Sequence, residues 1–286
     1  MSIFSKALCL APLSLFLLAD PGFAQEDGSR ITNFDFSGFL DTRLVRTSNE
    51  QSWLNNGLGK ARFSTATNDK SSNRLKLADA ALITKARFNW DLAGYAHLQY
   101  SPEQTKAVDV VEAFLQYKPL PKSDFRYSAK AGLFYPPISM EHSDIGWTSP
   151  YSVTPSAINS WIGEEVKSLS VEFEAQRRLE DHLFSLTAAG FLANDTTTSL
   201  LAWRGWALHD QKLTYFQRYP LPLVKSINTG GIFDGRQAPW TKPHLELDNR
   251  LGYYLGVSWD YLGLFQLRGL YYDNRGDPTV KEDLQY

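Results

Sequence analysis

Apolar and polar residues alternate with a period of two along several segments of this chain. Residues 125–135 show it most clearly, because Phe125, Tyr127, Ala129, Ala131, Leu133 and Tyr135 alternate with Arg126, Ser128, Lys130 and Gly132. Such a period places the two sets on opposite faces of a β-strand. The apolar set has aromatic rings at both ends and smaller residues between them, which is typical of a strand that crosses a bilayer between two interfaces.

The same period predicts about nine strands, each about as long as the 9–11 residues that a tilted strand needs to cross a membrane. The predicted segments are residues 34–44, 78–88, 92–100, 108–117, 125–135, 168–176, 184–194, 251–261 and 264–272. Short turns follow the second, fourth, sixth and eighth of them, and long connections at 47–73, 136–166 and 195–249 follow the first, fifth and seventh. The short connection at 102–107 departs from this rule.

Short turns on one side and long loops on the other are the layout of an outer-membrane β-barrel. The sequence therefore predicts an all-β fold, an antiparallel transmembrane β-barrel over residues 26–286, whose first strand runs outward from the periplasm. A soluble secreted β-sandwich would also alternate. The rings at the ends of the apolar faces, and strands longer than the usual 5–6 residues of soluble sheets, favour the barrel.

Residues 1–25 have the order of a secretory signal peptide, with Lys6, an apolar run at 7–18, a turn at 20–22 and small residues before Gln25. The apolar run is shorter than the roughly 20 residues of a transmembrane helix. The only cysteine, Cys9, lies in this segment, so the mature chain would hold no disulfide. With a formal net charge of −2, the composition indicates no nucleic-acid partner.

The last predicted strand runs outward into a turn-rich segment at 273–278. The final residues include the consecutive charges Lys281, Glu282 and Asp283, which fit a returning strand poorly. Closed bacterial barrels have an even number of strands. We therefore expect residues 26–286 to be the N-terminal portion of a larger porin, incomplete at its C-terminus, with about 16 strands in all.

The junction at 132–141 combines Gly132, Phe134, Pro137, Ser139 and Glu141 in a Gly-x-Phe-x-x-Pro-x-Ser-x-Glu run. It resembles the strand-to-loop junction of the porin superfamily that includes the phosphate-selective porins O and P. The segments 37–43 and 52–60 look like features of the same broad group. The resemblance implies a barrel that passes small solutes through the outer membrane. It does not imply phosphate, because no arginine ladder or lysine cluster is present.

On the alternation above, twelve charged residues of mixed sign would project into a water-filled lumen. These candidate pore-lining residues are Asp35, Asp41, Arg43, Asp79, Lys85, Arg87, Glu112, Arg126, Lys130, Glu172, Glu174 and Arg268. They could equally pair with one another and serve only to solvate the lumen. The loop tryptophans Trp147, Trp161, Trp203, Trp206 and Trp240 are expected to pack the loops rather than to bind solute. A short helix is predicted at 198–208, within a loop that could fold inward.

No enzyme is predicted. The five histidines form no His-x-x-x-His spacing, no Gly-x-Ser-x-Gly elbow is present, and no cofactor or metal is implied. The predicted function is passive diffusion of small hydrophilic solutes through the outer membrane of a Gram-negative bacterium. Partners would be outer-membrane lipids and these solutes, with a homotrimer as one option for assembly. The alternatives are a surface adhesin or receptor that uses the long loops, and a soluble secreted β-sandwich binding protein.

Overall fold

A computed structural model of the 286-residue chain describes residues 33–47, 49–64, 72–152, 154–163, 166–208 and 210–280. The predicted signal peptide and the charges at 281–283 lie outside these residues. The main element is one antiparallel sheet of nine strands in the order β1-β2-β3-β4-β5-β6-β7-β10-β11. Its strands are β1 Asn33–Thr47, β2 Ser72–Arg87, β3 Leu92–Tyr100, β4 Val108–Tyr117, β5 Phe125–Phe134, β6 Ser168–Leu179, β7 His182–Leu192, β10 Gly252–Tyr261 and β11 Phe265–Asp273. Two short strands, β8 Tyr219–Pro220 and β9 Trp240–Thr241, pair with each other in the longest loop.

The all-β prediction is confirmed, and each of the nine predicted segments coincides with a strand of the sheet. The short turns lie at one end of the sheet, and the long connections after β1, β5 and β7 lie at the other. The predicted helix is present as α1, Ser199–Arg204, which ends at Gly205 with the left-handed backbone angle φ 80° that glycine adopts readily. No described helix is long and apolar enough to cross a membrane.

Among the described residues, β1 and β11 each pair with one neighbour, so the sheet is open at both edges. Both edge strands run in the same direction, because every neighbouring pair between them is antiparallel. On each of these two outermost strands, the backbone N–H and C=O groups that face away from the sheet make no hydrogen bonds to a described neighbouring strand.

The two faces of the sheet differ in an unusual way. One face, here called the apolar face, is exposed: on β6, Leu169, Val171 and Phe173 are 51%, 49% and 62% exposed. The intervening Ser170 and Glu172 on the opposite, polar face are buried. The cross-strand register carries this division through all nine strands, with Phe36, Leu40, Leu82, Leu115, Tyr127, Leu186, Leu255, Val257 and Leu267 on the exposed apolar face.

The long loops fold over the polar face and have a hydrophobic core of their own. Its buried residues all come from the loops: Trp53, Leu200, Trp206, Leu208, Leu213, Tyr219, Leu221 and Ile227. The loop amide of Phe216 donates to the Asp109 carboxylate of β4 at 2.9 Å, which ties this core to the sheet. The loops therefore cover the polar face near their own end of the strands.

Three positions depart from the predicted alternation, and one of them, Leu133, belongs to the apolar set but is only 6% exposed. Tyr135 does not extend the apolar face, because β5 ends at Phe134 and the ring instead stacks on Trp147 with centroids 4.1 Å apart. The cause is local, since Gly132 adopts φ 139° and Pro136 cannot donate to a ladder. Ala78 is fully buried, because the register between β1 and β2 shifts beside it and interrupts the period of two.

Candidate functional site

The twelve predicted pore-lining residues share the polar face. Cross-strand pairs connect them, for example Asp35 with Lys85, Asp41 with Asp79, and Lys130 with Glu172. Near the short turns, where no long loop covers the sheet, Asp35, Lys85, Arg87 and Arg126 are exposed. Near the long loops, Asp79, Glu112 and Glu172 are buried. The polar face is thus open at one end and covered at the other.

Under the loops, two arginines and three carboxylates form a continuous charged network. Arg43 of β1 contacts Asp41 at 2.6 Å and also pairs with Asp210 of the longest loop. Arg62, from the loop after β1, contacts Asp79 of β2 at 2.8 Å and Asp210 at 3.3 Å. These charges hold two loops against two strands.

Arg62 is the most buried member of this network, with a side chain that is 0% exposed. Burial alone would lower the pKa of its guanidinium, but the negative charges of Asp210 and Asp79 outweigh burial and raise the pKa above its ordinary value. Arg62 therefore stays charged throughout the accessible pH range, and the network persists as long as its carboxylates remain ionised.

A second network crosses the middle strands. Lys130 of β5 contacts Glu172 of β6 at 3.0 Å, and Tyr254 of β10 donates its hydroxyl hydrogen to the other oxygen of the same carboxylate. Glu174 accepts hydrogen bonds from Ser128 at 3.3 Å and from Gln176 at 2.9 Å. These residues pair within the sheet, which is the alternative that sequence analysis left open for each candidate.

The half of the polar face nearer the short turns holds two hollows. One, of about 240 Å³, includes Asp35, Lys85, Arg87 and Gln116 in its wall. The other, of about 310 Å³, includes Glu174, Gln176, Asp260 and Arg268. Arg268 also donates to the backbone oxygen of Ser139 at 3.1 Å, which anchors the loop after β5 over this hollow. Both walls combine apolar residues with charged residues of both signs.

A further cavity of about 310 Å³ lies between the polar face and two loops, and is here called the loop cavity. Strand residues Phe39, Asp41, Arg43 and Asp79 form one side of it. Loop residues including His142, Asp144, Trp147, Tyr151, Asp210, Gln211 and Lys212 form the rest. Three of the twelve predicted residues therefore meet here with loop residues that sequence reasoning did not connect to them.

The motif at 132–141 builds the loop beside this cavity. The Ser139 hydroxyl lies 2.9 Å from Nδ1 of His142, whose ring stacks on Trp147 at 5.0 Å. Glu141 accepts hydrogen bonds from the Ser156 amide at 2.5 Å and from the Asn159 side chain. These bonds lower the pKa of Glu141, although its burial has the opposite effect. The residues that carry the resemblance thus have structural roles in this chain.

The other loop tryptophans pack within the loops. Trp206 packs edge-on against Trp53 with centroids 5.9 Å apart, and the guanidinium of Arg204 lies 4.1 Å from the Trp53 ring and 3.8 Å from the Trp206 ring. Trp203 packs against Phe233 at 5.2 Å. Lys60 lies over Trp161 and Arg218 over Trp240.

Several buried polar residues were not among the twelve predicted pore-lining residues. His97 and Gln99 lie on the polar face of β3, where their alternation with Leu98 could have placed them. Lys167 and His244 are also buried, and burial together with the positive charges of Lys167 and Lys242 holds the pKa of His244 well below its ordinary value.

Three carboxylates, Asp195, Glu246 and Asp248, have oxygens within 4.8 Å of one another. They come from two distant parts of one loop, so spacing along the chain gives no signal for them. Glu246 and Asp195 accept hydrogen bonds from the amides of Ala193 and Leu247, both at 2.7 Å. The cluster thereby fastens the end of the loop to its beginning.

No protein-family model, no curated protein and no solved structure matches this chain.

Proposed function

We propose that this chain forms the wall of a porin-like β-barrel in the outer membrane, through which small hydrophilic solutes diffuse passively. The observation that carries the proposal is the inversion of the two faces: the apolar face is exposed, while the charged face is partly covered by loops. In a barrel that spans a membrane, the apolar face meets lipid and the polar face lines the lumen.

A soluble β-sandwich is the poorer interpretation of the same sheet. It would bury its apolar face against a second sheet and present its polar face to water. Here the loops pack on the polar face, and the second ladder, β8 with β9, has only two residues in each strand. In water, hydration of the exposed apolar face would be highly unfavourable, and contact with lipid removes that cost.

The twelve charged residues give the proposed lumen a mixed lining. Pairs such as Lys130 with Glu172 fix the positions of opposite charges, and the exposed Lys85 and Arg126 meet solvent. Such a lining replaces part of the hydration of a passing solute and sets the field that an ion experiences. Permeation then requires neither a chemical step nor a cofactor.

The inward loops favour a channel over an adhesin. Arg62 and Asp210 bind strand residues across the polar face, and Asp109 accepts a hydrogen bond from the loop amide of Phe216. Loops held in this way narrow a lumen, whereas an adhesin would present them outward. A signal peptide at residues 1–25, cleaved near Ala24, would export the chain.

The two open sheet edges require additional strands in a finished barrel. Each unpaired backbone group in lipid costs several kcal/mol, so β1 and β11 need partners. We propose that further strands bring the barrel to about 16, the size of a general porin. A homotrimer of such barrels is compatible with this arrangement.

Conductance in planar lipid bilayers tests the proposal. Protein purified from outer membranes in detergent should give discrete conductance steps in potassium chloride, and N-terminal sequencing should show a mature start near Gln25. Lys85→Glu should shift the reversal potential towards cation preference, because Lys85 lies on the polar face. Lys122→Glu, in an exposed turn, is the control. Protein in the outer membrane that never conducts would refute the channel and favour the adhesin.

A further inference from the structure

The loop cavity contains hydrogen-bonding groups that the fold does not use. Gln211 is 2% exposed, and neither its amide oxygen nor its amide nitrogen has a partner among the described residues. Buried polar groups in proteins are nearly always hydrogen-bonded, and an unpaired buried amide is costly. A ligand or water molecule in the cavity would supply the partners that this amide lacks.

Two further residues in the wall of the loop cavity have an atom without a hydrogen-bond partner among the described residues. Oδ2 of Asp41 accepts from Nε of Arg43 at 2.8 Å, while its Oδ1 is buried without a partner among the described residues. Nε1 of Trp147 is likewise a buried donor without a partner. The Trp147 ring itself stacks on Tyr135 and His142, which fixes the position of this donor. The wall thus offers two unpaired acceptors and two unpaired donor groups.

The charges of the wall disfavour an anion. Among the lining residues, the guanidinium of Arg43 is engaged by Asp41 and Asp210, and Asp79 is a further carboxylate. Lys212 adds a positive charge, and Asp144 adds another negative one. An anionic solute would be repelled by these carboxylates, and Arg43 is already paired with two of them.

We propose that the loop cavity binds a small uncharged polyhydroxylated solute of monosaccharide size. A hydroxyl group both donates and accepts, so such a solute can donate to Oδ1 of Asp41 and to the Gln211 oxygen while it accepts from Nε2 of Gln211 and Nε1 of Trp147. The cavity, of about 310 Å³, is at the small end of ligand sites. The inference rests on the proposed channel, in which the cavity is a binding position along the solute path.

Calorimetric titration of the detergent-extracted protein with glucose tests this site, with inorganic phosphate and lysine as charged probes. Glucose should bind with a dissociation constant on the order of millimolar, and the charged probes should bind more weakly. Gln211→Leu should weaken glucose binding by about tenfold or more, since it removes two hydrogen-bonding atoms. The variant should fold, because the amide makes no described contact that the fold needs.

Thr214→Val is the matched control. The Thr214 hydroxyl is also fully buried and also has no described partner, but it does not line the loop cavity. This variant should bind glucose like the unaltered protein. The inference is overturned if the unaltered protein does not bind glucose, if Gln211→Leu binds it equally well, or if phosphate or lysine binds as tightly.

Conductance of the same preparations separates the two proposals. Glucose binding that depends on Gln211, in a protein that does not conduct, would support the cavity site and refute the channel. Conductance without glucose binding would support the channel and refute the cavity site.

Discussion

Asp41 and Asp79 lie directly opposite each other on β1 and β2. Like charges at opposed positions destabilise an antiparallel pair, so this arrangement needs compensation. Arg43 contacts Asp41 at 2.6 Å and Arg62 contacts Asp79 at 2.8 Å, and both arginines share Asp210. The repulsion between the two strands is thus relieved by Arg43 of β1 together with Arg62 of the loop after β1.

Replacing Arg62 should therefore release that loop. Arg62→Met leaves Asp79 buried without its guanidinium and leaves Asp210 with one arginine, Arg43, instead of two. Removing one partner of a buried pair costs about 3–5 kcal/mol. The measurement is the free energy of unfolding of the loop region in detergent, followed by tryptophan fluorescence, since Trp53 lies in the loop core.

Lys60→Met is the control for this prediction, because Lys60 is exposed and contacts only the Trp161 ring among the contacts described for its side chain. It should change the free energy of unfolding little. Equal effects of the two substitutions would contradict the role of the buried network.

Adjacent residues of β7 should respond oppositely to a positive charge. Leu186 lies on the apolar face near the middle of the strand, and Ser185 lies on the polar face. Leu186→Arg should destabilise folding into lipid by about 2–4 kcal/mol, the cost of an arginine near the bilayer midplane. Ser185→Arg should cost little and change ion preference instead. Similar losses of folding for both variants, measured in lipid vesicles, would reject the assignment of the two faces.

The strand pattern was predictable because it is a local property. Leu169 to Gln176 alternate without interruption, and the paired strands preserve that alternation. A residue such as Glu172 could therefore be assigned to its face from its neighbours alone. Its partners, Lys130 and Tyr254, come from two other strands and depend on register, which the alternation does not specify.

The departures from the pattern have causes that an apolar/polar pattern does not encode. A register shift buries Ala78, and the unusual backbone at Gly132 turns Tyr135 inward. The loop contacts were less predictable still, since Asp210 reaches Arg43 across 167 residues of sequence. Such pairings follow from how loops pack, and a single sequence carries no periodic signal for them.

Gly132 should tolerate no side chain. Its φ of 139° is unfavourable for other residues, and an added Cβ would lie 2.3 Å from the backbone oxygen of Ala113. Gly132→Ala should destabilise the protein by at least about 1–3 kcal/mol from backbone strain alone. Gly269→Ala is the control, because an added Cβ there would meet only Val257 at an ordinary 3.6 Å. Thermal unfolding in detergent measures both, and equal midpoints would contradict the prediction.

Acid should loosen the loop that contains Glu141. The hydrogen bonds from Asn159 and Ser156 lower the pKa of Glu141 below its ordinary 4.5. Their stabilisation is therefore fully present above pH 4.5 and is lost as the pH falls through the lowered value. Exchange of the Ser156 amide hydrogen, corrected for its intrinsic rate, should accelerate in that window. Glu141→Gln has no titrating group at this position, so its Ser156 amide exchange should not accelerate in this pH window. The same acceleration in both proteins would show that another group causes it.

The open edges of the sheet lead to the last prediction. β1 and β11 run in the same direction, so nine strands could close on themselves only through a parallel pair between these edges. We expect residues 33–280 alone to form no stable channel, because unpaired edges cost several kcal/mol per backbone group in lipid.

Refolding in detergent, followed by gel migration with and without heating and by conductance, measures this outcome. Leu40→Cys with Leu267→Cys adds a direct probe, since the sequence has only one other cysteine, Cys9, outside this segment. A heat-modifiable, conducting species in which these two cysteines cross-link within one chain would establish a small self-closed barrel. Conduction that appears only when further strands are supplied would instead show that β1 and β11 are internal strands of a larger one.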